Sequence, residues 1–340
     1  MTNNNAPMTT VCVSILNWND ANSTLRCVMA VQQSAVPSDV VVTLIVLDNG
    51  SRQPDWDVLR EGLIKLDVAW VRQDTNTGFA AGHNIVIQRA IACQADYVWL
   101  LNNDALVKPD TLGALLLAIS QFPDCGVVSP LIYAQHDERV VDFIGAVHDW
   151  PALEIKHAAD LESARNMEAS KSKDFLVFGT APLIKMEALR VVGLLNEDLF
   201  AYYEDLEFCA RLAQHGWSSR MAYSTAIRHV RRKHVFAERP PYYFYLMARN
   251  SLSFYLLHTP FEFRRWIRLR LFCRTMITAA NLRSHGLTEK SNACLLGIWD
   301  GLRGRWGPPR LDQPTPAWLT LVSKILPYRV QQWLEGVSAR

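Results

Sequence analysis

The stretch Tyr97-Val98-Trp99-Leu100-Leu101-Asn102-Asn103-Asp104 is an apolar run that ends in two amides and a carboxylate. Continuous apolar runs of this length are typical of strands that are buried on both faces of a sheet. Polar groups at the end of such a strand need hydrogen-bond partners, either in a local turn or in a bound ligand. The surrounding sequence bears on which of the two applies.

Apolar strands alternate with helices on either side of this stretch. Strand-like runs cover residues 11–16, 40–47, 69–72 and 97–101, and helical patterns cover residues 22–33 and 82–92. This alternation predicts an α/β fold with a mainly parallel sheet flanked by helices. In such open sheets, ligands bind at the carboxyl ends of the strands.

Three of the predicted strands end in short polar side chains. The three ends read Asn17-Trp18-Asn19-Asp20, Asp48-Asn49-Gly50-Ser51 and Asn102-Asn103-Asp104. Each end taken alone fits an Asx turn or a helix N-cap. Because the carboxyl ends of parallel strands meet at one edge, the three together favour a ligand site.

Asp104 has the chemistry of a ligand for a hard cation. Mg²⁺ or Mn²⁺ at a nucleoside diphosphate site is commonly held by one or two carboxylates together with the phosphates. Such an ion offsets the charge that grows on a departing diphosphate. The alternative is that Asp104 caps the helix predicted after Pro109, and the sequence leaves both open.

The segment Asn76-Thr77-Gly78-Phe79-Ala80-Ala81-Gly82-His83-Asn84 is a glycine-bearing turn that leads into a helix. Backbone amides at such a position can contact phosphate or sugar oxygens. The glycine spacing is not GxGxxG, and no GxxxxGK[ST] loop occurs in the chain. A dinucleotide-binding oxidoreductase and a P-loop enzyme are therefore disfavoured.

A second acidic cluster lies at residues 202–212, where Glu204 and Asp205 open a helical pattern. Carboxylates in a first helical turn are also favoured simply by the helix dipole. However, Phe200, Tyr202 and Tyr203 come just before them and offer aromatic surface for a sugar. A carboxylate in that setting can take a proton from a hydroxyl group.

His229 follows the strand-like residues 219–227 and lies in the cationic run Arg228-His229-Val230-Arg231-Arg232-Lys233-His234. One interpretation is a histidine that contacts a diphosphate or a metal ion. The other is a structural histidine, with Arg231, Arg232 and Lys233 in a solvated turn or against acidic lipid.

Between these motifs, the pattern predicts a helix over residues 109–122, a strand over 127–133, a strand over 175–186 and a helix over 187–192. Residues 136–173 are charged and poorly periodic, which indicates a variable insertion or a flexible loop. Beyond Pro240, aromatic, leucine and arginine residues dominate without strand character, which predicts a helical C-terminal region.

Composition narrows the class of protein. The 340 residues carry a formal net charge of +2, which disfavours a general nucleic-acid binder. The seven cysteines form no CxxC pair, as expected for reduced thiols. The N-terminus lacks the features of a signal peptide and no apolar stretch reaches the length of a membrane span. We therefore expect a cytoplasmic protein.

The order of these motifs resembles that of the family 2 inverting glycosyltransferases with the GT-A fold, in particular the rhamnosyltransferase type. The resemblance rests on VSILNWN, VLDNGS, NTGFAAGHN, LLNNDALVKPD, FGTAPLIKMEAL, FAYYEDLEFCARLAQHGW, RHVRRKH, YYFYLMARNSLSF and GLRGRWG, which span residues 11–307. Single motifs of this kind are weak signals, but their common order is a strong one.

The resemblance implies a role for each matching residue. The donor-binding residues would be Asn17, Asp48, Asn76, Gly78, Phe79, Gly82, Asn84, Asn102 and Asn103. Asp104, the last acidic position of the family's DxD-type motif, would hold Mg²⁺ or Mn²⁺ with His229, although Asn102 stands at the motif's first position. Asp205 would be the catalytic base. Gly179, Thr180, Tyr202 and Glu204 would bind the acceptor, and Arg249-Asn250 matches without an assigned role.

The implied reaction moves a sugar, with rhamnose as one candidate, from a nucleotide-diphosphate donor to a hydroxyl of a glycan or lipid-linked glycan. Such a reaction belongs to cell-surface polysaccharide or O-antigen synthesis. A non-catalytic sugar-binding protein and a nucleotidyltransferase on a related scaffold are the alternatives. Nucleic acid is not expected as a partner, and a homo-oligomer is left open.

The implied domains are a disordered N-terminus (residues 1–10), a GT-A catalytic domain (11–240) and a helical C-terminal region (241–340). The catalytic domain would consist of a nucleotide-binding part (11–110) and an acceptor part (111–240). In the C-terminal region, peripheral contact with the inner face of the cell membrane competes with packing of a helix whose exposed face is basic. The residues concerned are Phe263, Trp266, Ile267, Leu271, Arg264, Arg265, Arg268, Arg270 and Arg274.

Overall fold

The computed structural model describes residues 8–135, 137–229 and 238–326. The strands are β1 (Thr9–Asn17), β2 (Val40–Asn49), β3 (Ala69–Gln73), β4 (Tyr97–Asn102), β5 (Ala105–Leu106), β6 (Cys125–Ala134), β7 (Asp137–Phe143), β8 (Ala146–Asp149), β9 (Glu154–His157), β10 (Phe175–Leu176), β11 (Leu183–Lys185) and β12 (Ser218–His229).

The helices that were predicted individually begin and end within a few residues of their predicted limits. They are α1 (Ala21–Gln32), α2 (Gln53–Lys65), α3 (Phe79–Ala92), α4 (Thr111–Ser120), α5 (Leu161–Ser170), α6 (Met186–Val192), α7 (Glu204–Gln214), α8 (Pro241–His258), α9 (Ile267–Ser284), α10 (Thr288–Leu302) and α11 (Ala317–Ile325). Asp20 caps α1 by accepting a hydrogen bond from the Ser23 amide.

The main sheet has nine strands in the order β3-β2-β1-β4-β11-β6-β12-β5, with β7 paired to β6. Strands β3, β2, β1 and β4 are mutually parallel, and β6 is parallel to β12. Strand β11 is antiparallel to both of its neighbours. The predicted α/β class is confirmed, as a mixed sheet with flanking helices and a helical C-terminal region.

The register and burial of the parallel strands account for their continuous apolar runs and for the position of their polar ends. Asn17 is in register with Asp48, and Leu16 is in register with Asn102. Strand β4 is buried along Val98, Trp99, Leu100 and Leu101. The three polar strand ends therefore lie side by side at one edge of the sheet.

The described residues fall into two compact units. The first unit contains the described residues up to Val147, Lys156–Glu197 and those from Glu204 to His229. The second contains His148–Ile155, Asp198–Tyr203 and those from residue 238 onwards. Helices α8 to α11 belong to the second unit, whereas the proposed parts 11–110, 111–240 and 241–340 remain a prediction.

Two predictions about local structure are wrong. The flexible-loop interpretation of residues 136–173 is wrong, because the described residues of this segment contain β7, β8, β9 and α5, and α5 begins with a capping box between Asp160 and Ser163. The alternative, a variable insertion, stays a prediction. The single strand predicted over residues 175–186 is instead β10 and β11, with an irregular segment between them. Strands β8 to β11 have only two to four residues, too few for periodicity to identify, and β7 and α5 lie in a charged stretch without a clear apolar period.

The N-terminal segment predicted to be disordered, residues 1–10, falls only partly within the described residues. Residues 1–7 lie outside the described residues, and Thr9 and Thr10 already belong to β1. Within the described parts of the chain, no helix combines the length and apolar character needed to cross a membrane.

Candidate active site

Asn17 and Asp48 are fully buried at the ends of β1 and β2. Asn17 Nδ2 donates hydrogen bonds to Asp48 Oδ1 at 2.9 Å, Ser51 Oγ at 2.9 Å and Asp55 Oδ2 at 3.1 Å. Thr24 Oγ1 donates to Asn17 Oδ1 at 2.7 Å. Both side chains are therefore engaged inside the protein, and their direct contact with a nucleotide base or ribose stays a prediction.

The loop before α3 is organised by Asn49, which sequence analysis did not single out. Asn49 Nδ2 donates to Asn76 Oδ1 at 3.1 Å and to the Gly78 carbonyl at 3.0 Å, while Asn49 Oδ1 accepts from the Thr77 amide at 3.0 Å. Gly50 has a φ of 74°, and a Cβ on it would lie 2.4 Å from the Thr75 carbonyl carbon. The position of Asn49 within Asp48-Asn49-Gly50-Ser51 was the available signal.

Of the other residues predicted in this loop, Gly82 and Asn84 pack inside the protein, whereas Phe79 lines a pocket. A Cβ on Gly82 would lie 2.2 Å from Leu16 Cδ1, so this glycine permits close packing of α3 on β1. Asn84 is buried and joins the segment before α7, since its Nδ2 donates to the Leu195 carbonyl at 2.9 Å and Glu197 Oε1 at 2.8 Å. Phe79, by contrast, is half-buried and lines a pocket with Gly179 and Asp205.

The stretch after β4 connects several elements. The Asn102 amide donates to the Thr180 carbonyl at 2.9 Å. Asn103 Nδ2 donates to Thr24 Oγ1 at 3.0 Å, which attaches the stretch to α1. Asp104 precedes β5, which pairs antiparallel with Arg228 and His229 of β12. Asp104 is consequently not the cap of α4, whose N-cap position is Asp110.

This short pairing brings His229 beside two carboxylates. His229 Nε2 lies 3.2 Å from Asp104 Oδ1, and His229 Nδ1 lies 2.8 Å from Asp142 Oδ2. Burial of the ring lowers the pKa of His229, but the hydrogen bonds and charges of Asp104 and Asp142 outweigh burial and raise it to about 9. Asp142 lies in the segment predicted as a loop, and no sequence signal pointed to it.

Asp104 offers an oxygen ligand for a divalent cation, and His229 would add Nε2 as a ligand only on losing the proton that its raised pKa of about 9 keeps on the ring at neutral pH. Asp104 offers a partly exposed carboxylate, and Asp142 orients the His229 ring so that Nε2 faces Asp104, as second carboxylates do for metal-binding histidines. Over the described ranges, no three side chains of His, Cys, Asp or Glu are grouped to hold a metal by themselves. The remaining ligands would have to be phosphate oxygens and water, as is usual for Mg²⁺.

Asp205 lies in the first turn of α7 and is half-buried. Its Oδ2 accepts from the Gly179 amide at 3.0 Å, and its Oδ1 accepts from the Leu206 amide at 2.8 Å. A Cβ on Gly179 would lie 3.6 Å from both Asp205 Cβ and Phe79 Cζ. The structure therefore brings together the predicted base, one predicted donor residue and the predicted acceptor turn at Gly179 and Thr180.

The two neighbouring carboxyl groups differ in their surroundings. Glu204 is 6% exposed, and its Oε2 has no hydrogen-bond partner among the described residues. Burial, followed by the charge of Asp205, raises the pKa of Glu204 well above its usual range. Burial also raises the pKa of Asp205, but the amides of Gly179 and Leu206 oppose this shift. Glu204 is therefore the carboxyl group that holds the proton more firmly.

Tyr202 belongs to the second unit and is half-buried. Its ring meets that of Tyr243 edge to face, with 5.1 Å between the centroids. Phe200, Ala201 and Tyr202 pack against a core of Tyr245, Leu246, Ala293 and Leu296. Of the RHVRRKH motif, only Arg228 and His229 fall within the described residues.

Comparison with known proteins gives the same class as the motifs. The family described as "Glycosyltransferase like family 2" matches residues 7–251. The N-acetylglucosaminyl-diphospho-decaprenol L-rhamnosyltransferase of Mycobacterium tuberculosis is 25% identical over 244 residues, which cover 62% of this chain and 76% of the relative. The low-salt glycan biosynthesis hexosyltransferase Agl10 of Haloferax volcanii is 24% identical over 176 residues, covering 50% and 53%.

Solved structures share the fold at low sequence identity. The mannosyltransferase PcManGT from Pyrobaculum calidifontis, in complex with GDP-Man and Mn²⁺, has a TM-score of 0.57 and 16% identity and covers 88% of this chain and 90% of its own. S. aureus TarS 1–349 in complex with UDP-GlcNAc has a TM-score of 0.53 and 14% identity, covering 97% and 90%.

The family match spans most of the chain and includes Asp104, Asp205 and His229. The predicted family, fold and enzyme class are thereby confirmed. The protein belongs to glycosyltransferase like family 2 and is a glycosyltransferase with the GT-A fold.

Proposed function

We propose that the protein transfers a sugar, with L-rhamnose the favoured one, from a nucleoside diphosphate donor to a hydroxyl of a lipid-linked glycan during cell-surface polysaccharide synthesis. The observation that carries the proposal is the contact chain from Asn102 through Thr180 and Gly179 to Asp205. This chain joins the polar strand ends to a half-buried carboxylate. The name of the mycobacterial relative supports rhamnose and a lipid diphosphate acceptor.

In this reaction Asp205 is the base that removes the proton from the acceptor hydroxyl. The Gly179 and Leu206 amides orient its carboxylate. The hydroxyl oxygen attacks the anomeric carbon on the face opposite the diphosphate, so the configuration inverts. Glu204, kept protonated by burial, donates a hydrogen bond to the acceptor.

The donor lies along the polar strand ends. The loop from Asn76 to Asn84 lines its pocket, with Gly78 and Phe79 at the start of α3, and Asn102 and Asn103 complete the edge. Asn17 and Asp48 are fully buried, and the hydrogen bond between them stabilises the ends of β1 and β2 at the proposed donor edge. Asp104 and His229 would hold Mg²⁺ or Mn²⁺, and the ion would supply positive charge to offset the charge on the diphosphate leaving group.

The test is a screen of the purified protein against dTDP-, UDP- and GDP-sugars with Mg²⁺, Mn²⁺ or EDTA, followed by Asp104→Ala and Asp205→Asn variants. We expect metal-dependent turnover of one donor and a loss of about 10²–10⁴-fold in transfer for Asp205→Asn, the range typical of a catalytic base. Asp205→Asn should still bind the donor, whereas Asp104→Ala should bind it weakly.

Glu187→Gln is the matched control, because Glu187 is an exposed carboxylate on α6 whose partner is Lys185. It should keep full activity. Turnover in the presence of EDTA would contradict the metal-binding role of Asp104 and His229. Transfer by Asp205→Asn at the wild-type rate would contradict the role of Asp205 as the catalytic base. A homo-oligomer is not needed for any step of the proposal.

A second proposed partner is an anionic membrane surface. Phe261, Trp266 and Leu269 are 87%, 56% and 41% exposed. The exposed arginines of the same segment are Arg264, Arg265 and Arg268. Exposed aromatic and basic side chains together are typical of segments that lie in a membrane interface. A peripheral position on the inner face of the membrane would bring the enzyme to a lipid-linked acceptor.

This surface differs from the predicted helix face. Ile267 and Leu271 are buried, at 2% exposure each. Arg270 donates to the Pro151 carbonyl, and Arg274 donates to the carbonyls of Ala152 and Leu153. These four residues have partners within the protein, so the proposal no longer includes them.

A further inference from the structure

The loop that precedes α7 has an unusual backbone conformation. Phe200, Tyr202 and Tyr203 have φ angles of 64°, 66° and 75°. Bulky residues other than glycine rarely adopt this left-handed region, because the side chain crowds the backbone. Strained conformations of this kind persist only where the surrounding structure holds them, and they are frequent at functional sites.

Asn250 of α8 supplies hydrogen bonds to this loop. Its side chain is fully buried, and Nδ2 lies 2.8 Å from the Leu199 carbonyl, 2.9 Å from the Ala201 carbonyl and 2.8 Å from the Tyr202 carbonyl. One amide group thus serves three carbonyl groups of the same turn. A buried carbonyl that loses its donor is costly, so Asn250 stabilises this particular backbone path.

Arg249 extends the same arrangement. Its Nη2 lies 3.1 Å from the Leu199 carbonyl and 3.3 Å from the Asp198 carbonyl, and its Nε donates to Asn250 Oδ1 at 2.9 Å. Its Nη1 donates to the Gly307 carbonyl at 2.6 Å, while the Gly307 amide donates to the Asp198 carbonyl at 2.8 Å. A rigid guanidinium group can make all of these contacts at once.

The targets of these donors point to a role beyond general stability. Among the described residues, Asn250 Nδ2 donates its hydrogen bonds to the turn that contains the left-handed residues. Tyr202 and Tyr203 stay half-buried there, and their rings contact Tyr243 and Phe254 of α8. The peptide bond after Tyr203 leads directly to Glu204, the first residue of α7.

We propose that Arg249 and Asn250 are positioning residues for sugar transfer: they hold the turn Asp198–Tyr203, with its left-handed residues Phe200, Tyr202 and Tyr203, in a fixed path, so that Tyr202 is preset for the acceptor. This inference rests on the proposed function. It also gives a role to two stretches, Arg249-Asn250 and Gly301-Leu302-Arg303-Gly304-Arg305-Trp306-Gly307, that the proposed reaction does not use directly.

The test compares Asn250→Ala with Ser251→Ala in the full-length protein. Ser251 is the next residue of α8, and its hydroxyl donates to the Ala248 carbonyl rather than to the loop. Hydrogen–deuterium exchange followed by mass spectrometry should show faster exchange in peptides covering residues 198–205 for Asn250→Ala, with other α7 and β-sheet peptides unchanged. Ser251→Ala should match the wild type.

Kinetics provide the second measurement. We expect Asn250→Ala to raise the acceptor KM and to lower kcat/KM for transfer by about 10²-fold, the effect of a misplacement of about 1 Å. The donor Kd, measured by calorimetry, should stay within about twofold, and donor hydrolysis should continue at the wild-type rate. Arg249→Lys, which keeps the charge but not the planar fork, should show the same pattern more weakly.

The outcomes separate this inference from the proposed function. Unchanged exchange at residues 198–205 in Asn250→Ala would overturn the positioning role, whatever the activity. Equal losses of donor binding and transfer would also overturn it. If Asn250→Ala does not fold, Asn250→Ser and Arg249→Lys replace it with the same criteria. If the wild-type protein turns over no donor, the proposed function is contradicted. Hydrogen–deuterium exchange would still show whether Asn250 holds the turn at residues 198–203.

Discussion

Glu204 and Asp205 are neighbours in the chain, but their carboxyl groups have different hydrogen bonds. Asp205 accepts from two backbone amides, whereas Glu204 Oε2 has no partner within the described residues. Hydrogen bonds to a carboxylate favour its charged form, and burial without them favours the protonated form. The pair can therefore offer one base and one neutral hydrogen-bond donor at the same pH.

This difference predicts how stability changes with pH. Burial and the charge of Asp205 raise the pKa of Glu204 above its unfolded value, which is about 4.3. The folded state therefore binds this proton more tightly, and the stability gained is complete below the unfolded pKa and lost as pH rises through the raised pKa. The Glu204→Gln side chain does not ionise, so this loss of stability with rising pH is absent in that variant.

We therefore expect the melting temperature of Glu204→Gln, relative to that of the wild type, to rise with pH across this window. Thermal unfolding at a series of pH values measures it. Glu187→Gln should follow the wild-type curve, because Glu187 is exposed. Parallel curves for Glu204→Gln and the wild type would mean that the pKa of Glu204 does not differ between the folded and unfolded states.

The packing of helices α8 and α10 depends on small residues. A Cβ on Gly297 of α10 would lie 2.1 Å from the Tyr245 carbonyl oxygen of α8, and a Cβ on Gly301 would lie 3.3 Å from the Arg249 carbonyl oxygen. Both contacts are to backbone atoms, which cannot move aside as a flexible side chain can. The same helix, α8, carries the hydrogen bonds of Arg249 and Asn250.

Gly297→Ala should consequently destabilise the second unit. The alanine gains up to about 1 kcal/mol of helix propensity, but separating two packed helices costs about 1–3 kcal/mol or more. Gly113→Ala is the control, since Gly113 is also inside a helix and its Cβ would meet only Pro37 Cγ at 3.7 Å. Thermal unfolding should show a lower midpoint for Gly297→Ala and an unchanged or higher one for Gly113→Ala.

A Gly297→Ala protein that melts at the wild-type temperature would mean that α8 and α10 can separate without loss. Hydrogen–deuterium exchange at residues 198–203 provides a further comparison between the two variants. It should increase in Gly297→Ala if the position of α8 controls the turn, and it should not increase in Gly113→Ala.

The whole molecule carries little net charge, so any attraction to lipid must come from local segments. The formal charge is +2 for 340 residues. Residues 261–269 combine three exposed apolar side chains with three exposed arginines and the single acid Glu262. Each basic residue near an anionic surface contributes about 1 kcal/mol, and this contribution is screened by salt.

We expect the protein to co-sediment with vesicles that contain anionic lipid, and to do so less at high salt and with neutral vesicles. The double variant Phe261→Ser and Trp266→Ser should bind several-fold more weakly. Ile64→Ser is the control, because Ile64 is 60% exposed and lies on α2 in the first unit. Equal binding by all three proteins, or none to anionic vesicles, would remove the proposed membrane surface.

Sequence patterns predicted much of the fold and part of the site. The alternation of apolar strands and helices indicated the sheet, and the polar endings of β1, β2 and β4 indicated the edge at which the candidate site lies. The side-chain periodicity of a helix or a strand arises from local backbone geometry, which neighbouring residues determine. The four-residue strands β8 and β9 were missed because so few residues carry no period, whereas β7 and α5 were missed because that segment is charged and poorly periodic.

By itself, the sequence determined the family, the parallel core of the sheet and the residue types available for chemistry. Packing in three dimensions sets which of them meet: His229 with Asp104 and Asp142, Gly179 with Asp205, and Asn250 with the turn before α7. It also decided that Asn17 and Asp48 are buried. Such pairs are far apart in the chain, and no spacing rule encodes them, because packing of whole elements sets the distances between their side chains.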